Sequence, residues 1–287
     1  MKKPAGVPGG LSRFRMDFAY DGTDFAGWAK QPGLRTVQSE VISALETIFG
    51  PSENDFAMRI AGRTDAGVHA SHQVLHFDLD QEQLSRLGRT ALTPKRMQRL
   101  TPVDIGIQSI ALAPEGFHAR FSATGRSYEY TIVDALCKPD PLRHRYVLTT
   151  GKKLDVALMR DAAIGLLGVR DFGAFCRPRA GSTTIRELRM LDVEREKDGK
   201  ILIRLEADAF CHNMVRAIVG GLCAVGEGRL GGEELWAIQQ AAVRTAKFKV
   251  VAPQGLNLVG VSYPPDAELA SQAQKTRNKR DLDDISV

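Results

Sequence analysis

Residues 61–80 read "AGRTDAGVHASHQVLHFDLD", a glycine-punctuated loop that runs into an alternating segment. In "QVLHFDLD", Leu75, Phe77 and Leu79 fall on one side of an extended chain, because successive strand side chains point to opposite faces. The loop before it carries Arg63, Asp65 and His69, with glycines at 62 and 67. A carboxylate at the centre of so tight a loop is out of keeping with a chain that otherwise spreads its charges along amphipathic segments.

On the N-terminal side, "RFRMDFAY" alternates in the same way, and Thr36 caps a helix whose Val37, Val41, Leu45 and Ile48 recur at helical spacing until Gly50 ends it. On the C-terminal side "DIGIQSIALA" reads as another strand. After about residue 122 a similar order returns. It comprises strand "RSYEYTIVD", a helix over 155–168, strands "IRELRMLDVERE" and "KILIRLEAD", helices over 211–225 and 232–243, and strand "LNLVGVSY". The pattern predicts an α+β protein of two similar halves, each laying an antiparallel or mixed sheet against helices. The halves span 12–122 and 123–265, between tails expected to be mobile: 1–11, rich in Gly and Pro, and 266–287, polar and without aromatics.

A chain of 287 residues can build two sizeable cores. With 43% hydrophobic and 25% charged residues it reads as globular. A formal charge of +5 fits a polyanionic partner only if the basic residues gather on one face. Those residues recur as Arg120 and Arg126; Lys138, Arg143 and Arg145; Arg177, Arg179, Arg186 and Arg189; and Arg244, Lys247 and Lys249. Cys137, Cys176, Cys211 and Cys223 form no CxxC pair and are expected as reduced thiols. "MKKPAGVPGGL" is broken by Pro and Gly where a signal peptide needs an apolar core, and no apolar run reaches membrane-spanning length. A cytoplasmic location is expected.

Three constellations invite chemistry. "GEGRLG", Gly226 to Gly231, satisfies GxGxxG but follows a helix, whereas a dinucleotide loop follows a strand and opens a helix. Asp65, His69, His72 and His76 have the spacing of a helical metal face, but Gly67 and the strand pattern at His76 would make them diverge, so no metal is expected. Arg216 is the one residue sure to be charged in the apolar stretch "AFCHNMVRAIVGGLCAVG". It either snorkels to water or finds a carboxylate, for which Asp65 is the candidate.

Taken together, the blocks "YDGTDFAGWAKQ", "AGRTDAGVHA", "FHARFSATGRSYEY", "RDFGAFC", "FCHNMVRAIVG" with "VGEGRL", and "APQGLNLVGVSYP" resemble the TruA-type tRNA pseudouridine synthases. They run in family order from Phe14 to Pro264. The resemblance implies an isomerase, needing no cofactor, that converts uridines 38, 39 and 40 of the tRNA anticodon stem-loop to pseudouridine. It also implies a homodimer holding tRNA across both subunits, and two halves that join their sheets around a central cleft. It assigns Asp65 as the catalytic aspartate and Arg63 as the residue propping the space left by a flipped nucleotide. Tyr128 would pack on the flipped base, Arg216 would pair with the aspartate, and Leu256 would close an apolar wall. Without the resemblance, Tyr128 reads first as a strand residue packing in a core, and Leu256 reads as easily as plain core.

The sequence departs from the family pattern in three places. Ala29 follows "GW" where Gln is usual, His72 stands where Gly often precedes "QV", and "ALTPKRMQRLTPVDI" is a longer connection with extra basic residues. A non-catalytic RNA-binding module and a metal-dependent hydrolase are the competing classes.

Overall fold

The computed structural model describes residues 10–88, 90–138, 140–178 and 183–277. Strand β1 (Ser12–Tyr20) buries every second residue, as its alternation predicts, and Phe14, Met16, Phe18 and Tyr20 enter the core. Helix α1 (Val37–Phe49) begins at a reciprocal cap in which the Thr36 hydroxyl accepts the Ser39 N–H and the Ser39 hydroxyl accepts the Thr36 N–H, both at 3.2 Å. It buries Val37, Val41 and Leu45 along one stripe.

After the short β2 (Arg59–Ile60), strand β3 (His69–Leu79) pairs antiparallel with both β1 and β2. Alternation predicts one buried face for β3, yet Val74, His76 and Asp78 are buried as well as Leu75, Phe77 and Leu79. The polar members of that second face are satisfied locally. Arg13 clasps Asp78 with Nε and Nη2 at 2.7 and 2.8 Å, and His76 Nδ1 accepts the Ala119 N–H at 3.0 Å. Two short helices, α2 (Gln81–Ser85) and α3 (Pro94–Gln98), fill the long connection before β4 (Ile105–Leu112), which pairs antiparallel with β1.

A second compact unit takes residues Gly125–Leu258. It contains β5 (Gly125–Val133), β6 (Leu148–Thr149), α4 (Val156–Ile164), β7 (Gly168–Asp171), β8 (Ile185–Arg195), β9 (Ile201–Ala207), α5 (Met214–Gly226) and α6 (Gly232–Ala241). Strands β5, β9, β8 and β7 follow one another as antiparallel neighbours, with β6 parallel to β5. Helix α4 packs on β8, α5 and α6. It is shorter than the expected 155–168, ending at Ile164 before Gly165, with Trp236 of α6 donating its indole N–H to the Ala162 carbonyl (2.7 Å), and β7 follows. Helix α5 begins three residues later than expected, after Asn213 in a left-handed conformation (φ 68°).

Strand β10 (Leu256–Ser262) is divided between the units: its residues from Val259 onward belong, with the chain to Asn278, to the first unit, whose main part is the described portion of Met1–Thr124. The expected tail at 266–287 contains helix α7 (Leu269–Arg277), which buries Leu269 and Ala273; residues 278–287 lie outside the described residues. One expectation about the cysteines is overturned. Cys176 and Cys211 are joined as a disulfide with Cα atoms 5.7 Å apart, while Cys137 and Cys223 are free. Sequence spacing hid the pair because 35 residues separate its members.

Candidate active site

In the first unit, Asp65 lies in a turn closed by the Val68 N–H donating to its carbonyl (3.2 Å). Its side chain is half-buried. Each flank of the turn is pinned to a different segment. The Ala61 N–H bonds the Val74 carbonyl at 2.8 Å, the Thr64 carbonyl accepts the Trp28 N–H at 3.1 Å, and the Gly67 N–H bonds the Phe25 carbonyl at 3.3 Å.

Beneath the loop, the Tyr20 hydroxyl lies 2.7 Å from Thr64 Oγ1. Gln73 Nε2 donates both to that phenol (3.3 Å) and to the Gly62 carbonyl (2.9 Å). Burial pushes the Tyr20 phenol up to about 12, against the opposing effect of its hydrogen bonds to Thr64 and Gln73. The phenol is therefore protonated at neutral pH, and its oxygen accepts from Gln73 while sharing a hydrogen bond with the Thr64 hydroxyl.

Two glycines make the close approach possible. A Cβ on Gly22 would stand 2.0 Å from the Val68 carbonyl oxygen. Gly27 has φ +96°, and a Cβ added there would stand 3.0 Å from the Thr64 carbonyl oxygen and 3.1 Å from the Ala66 nitrogen. His69 closes the far end, its Nδ1 accepting the Gly22 N–H at 3.0 Å. His76 is equally occupied: burial first, then Arg13, His118 and Arg59, lower its pKa to about 2, so its ring is neutral. Both histidines thus hold backbone N–H groups, and among the described residues no group of three or more His, Cys, Asp or Glu side chains gathers into a metal site. Arg63, on the same loop as Asp65, is exposed and makes no side-chain hydrogen bond or ion pair among the described residues.

The second unit holds the other three site residues of the sequence reading. Tyr128 lies on β5, paired with Leu205 of β9, and is 8% exposed. Its ring meets Phe210 edge-on, with centroids 5.1 Å apart at 87°. Arg216, in the first turns of α5, is half-buried; its Nε donates to the Val251 carbonyl at 2.8 Å and its own carbonyl accepts the Val251 N–H at 3.3 Å. One edge of the guanidinium is therefore fixed. Leu256 opens β10 and is buried, directly after a turn in which Tyr130 donates its hydroxyl to the Ala252 carbonyl (2.7 Å).

The basic residues proposed from sequence for a nucleic-acid face do not all serve as free cations. Arg126 is buried, and its Nη1 donates to the Asp208 carbonyl at 2.8 Å. Arg189 pairs with Glu187 (2.8 Å) and Lys247 with Glu234. Arg179 lies outside the described residues. Sequence reasoning missed Tyr20, Thr64 and Gln73 beneath the loop, Phe210 against Tyr128, and Val251 on Arg216; each looks like an ordinary strand or loop residue until the chain brings it to its partner.

A family model described as tRNA pseudouridine synthase matches residues 162–264. The chain is 45% identical to tRNA pseudouridine synthase A of Leifsonia xyli over 283 residues, covering 94% of this chain and 98% of that one. It is 48% identical to the protein of that name from Frankia casuarinae, covering 94% and 96%, and 45% identical to that from Streptomyces avermitilis, covering 96% of each. The chain belongs to the tRNA pseudouridine synthase A family.

Members of this family are isomerases of α+β fold. As a tRNA pseudouridine synthase A family member, the chain keeps its departures in loops and at one strand position. Ala29 occupies a loop in which the Gln31 amide donates to the Ala26 carbonyl (3.1 Å), His72 is a half-buried residue of β3, and the longer connection holds α3.

Proposed function

We propose that the protein isomerises uridines 38, 39 and 40 in the anticodon stem-loop of tRNA to pseudouridine, with Asp65 as the catalytic carboxylate. The reaction breaks the bond from N1 to C1′ and forms one from C5 to C1′; C5 gives up its proton and N1 gains one. No atom is added and no electron is transferred to a second molecule. The chemistry asks for an oxygen nucleophile or charge stabiliser beside the ribose and base, and a carboxylate supplies either.

The observation that carries this reading is the Asp65 turn itself. A half-exposed carboxylate is held by backbone hydrogen bonds on both flanks and by a buried Tyr20, Thr64 and Gln73 network below. Such bracing fixes a reactive group before substrate arrives, which is where most of an enzyme's positional advantage originates.

A uridine stacked in an anticodon stem-loop must leave the stack to reach any carboxylate. Tyr128 is assigned to pack on the flipped base and Arg63 to prop the space it leaves. Arg216 is assigned as the cation paired with the Asp65 carboxylate, and its Nε anchor on Val251 supports that role because it limits how the remaining guanidinium donors can point. Leu256 is assigned to the apolar wall beside the base. The enzyme acts in the cytoplasm as a homodimer that holds tRNA across both subunits.

Incubating the purified protein with an unmodified tRNA transcript, chelator present, and mapping pseudouridine tests the reading. Pseudouridine at 38, 39 or 40 is expected. Its absence there, or its appearance only elsewhere, overturns the substrate assignment. Arg216→Ala should slow turnover sharply and Arg216→Lys should recover part of it, a cation without the planar fork. Equal rates for wild type and Arg216→Ala would remove Arg216 from the site.

A further inference from the structure

The long connection between β3 and β4 does more than span a gap. Its helix α3 is anchored from beneath: Met97 is fully buried, the Gln98 amide donates to the Ile105 carbonyl (2.7 Å), and Gln98 Oε1 accepts the Ile107 N–H (2.7 Å). Thr93 caps it with a 3.2 Å bond from the Arg96 N–H, and Pro94 fixes its first residue. On this base a cavity of ≈ 460 Å³ is lined by Thr90, Ala91, Thr93, Lys95, Arg96 and Arg99. Three of the six are cations, two carry hydroxyls, and none is acidic.

Among the described residues none of the three cations pairs with a carboxylate. Asp104, the one acid in residues 90–104, is held by Arg35 through two bonds of 2.7 and 2.9 Å. Lys95 of α3 and Arg99, the residue that caps its C-terminal end, stand four apart, where like charges repel. Arg96 Nη1 has no hydrogen-bond partner among the described residues, a state that costs stability unless an acceptor reaches it. The cavity of the second unit is different. There a lining acid, Glu227, pairs with Arg229 at 2.5 Å and Lys247 is held by Glu234, although Lys249 also lines it.

We propose that the cavity formed by Thr90, Thr93, Lys95, Arg96 and Arg99 is a binding site for backbone phosphates of the RNA substrate, separate from the Asp65 loop. A phosphodiester supplies the missing negative charge. Its non-bridging oxygens accept from the planar Arg forks, from the Lys ammonium and from the two threonine hydroxyls, the donor set that positions nucleic acid without reading sequence. This inference rests on the tRNA reading above, and it assigns to the extra basic residues of the connection a part in substrate affinity rather than in chemistry.

The test compares wild type with the triple variant Lys95→Gln, Arg96→Gln, Arg99→Gln for binding an unmodified tRNA transcript across a range of salt. Each lost phosphate contact lowers the slope of log affinity against log salt by about 1, so the triple variant should bind more weakly and show a slope smaller by about 2 to 3. Its single-turnover rate at saturating tRNA should match wild type, and its thermal melting should be unchanged or improved. An unchanged slope overturns the phosphate site while leaving pseudouridine formation by the wild type to stand on its own. A wild type that forms no pseudouridine in any tRNA fails the functional reading, whatever the slopes. If millimolar inorganic phosphate shifts the Arg96 side-chain resonance but the two proteins bind tRNA alike, the cavity takes free phosphate and the RNA assignment is wrong. Arg96→Lys alone should recover most of the affinity lost by Arg96→Gln; no recovery also counts against a charge-based site.

Discussion

The Tyr20 phenol and the Thr64 hydroxyl stand 2.7 Å apart, which ties the end of β1 to the residue immediately before Asp65. The bond is buried, and the same phenol receives the Gln73 amide, so removing the phenolic oxygen takes a buried partner from Thr64 and leaves Gln73 Nε2 with only its bond to the Gly62 carbonyl. Tyr20→Phe should cost about 1–3 kcal/mol of stability in urea unfolding. Because the Thr64 anchor slackens, single-turnover isomerisation should fall by roughly tenfold or more, with tRNA affinity unchanged. A full wild-type rate in the folded variant would show that this bond does not position Asp65.

Gly22 offers a second handle on the same loop. Its missing side chain lets the backbone lie against the Val68 carbonyl, and an added methyl would need to occupy a point 2.0 Å from that oxygen. Gly22→Ala should lower stability by about 1–3 kcal/mol and displace the turn that carries Asp65. Thermal melting and turnover measured together check this: both should fall, and an active, fully stable Gly22→Ala protein would contradict it.

Tyr128 distinguishes ring from hydroxyl. Tyr128→Phe keeps the edge-on contact with Phe210 and should retain tRNA binding and turnover within several-fold. Tyr128→Ala removes the platform, for which base stacking contributes about 1–3 kcal/mol, and turnover should collapse. If Phe is as inactive as Ala, the hydroxyl takes part in proton transfer.

His76 and His118 make the first unit acid-sensitive. Burial, reinforced by Arg13 and other nearby cations, lowers His76 from 6.5 to about 2 and His118 to about 4. Each ring binds a proton more readily in the unfolded chain, so the stability it contributes is fully present above pH 6.5 and is lost as pH falls toward the folded value. For the buried His76 the loss between pH 6.5 and 5 is up to about 2 kcal/mol. Urea unfolding at pH 7 and pH 5 should show it, and His76→Gln, which keeps an acceptor for the Ala119 N–H, should shrink the difference. Identical pH dependence in the two proteins would contradict the assignment.

The sequence made local patterns legible. Alternation gave β1, β4, β5, β8 and β9, the Thr36 cap and Gly50 bounded α1, and the glycine-flanked loop singled out Asp65. What it could not show were contacts between residues far apart in the chain. Arg13 with Asp78 turns an expected exposed face of β3 into a buried one, Trp236 reaches the Ala162 carbonyl of α4, and Cys176 meets Cys211 across 35 residues. The Tyr20, Thr64 and Gln73 network was invisible for the same reason, since each member has the residue type of an ordinary strand or loop position. Arg126, one of the basic residues grouped as a nucleic-acid face, is buried, and one of its N–H groups donates to the Asp208 carbonyl 82 positions away, a contact the sequence does not show.

The most direct test of the account is single-turnover isomerisation by Asp65→Asn. Asparagine preserves size and hydrogen-bonding capacity but lacks the negative charge and the nucleophilic oxygen, while tRNA affinity comes mainly from phosphate contacts elsewhere. The account predicts no measurable pseudouridine at 38, 39 or 40, with tRNA binding within several-fold of wild type. A folded Asp65→Asn enzyme that turns over at a substantial fraction of the wild-type rate would contradict it.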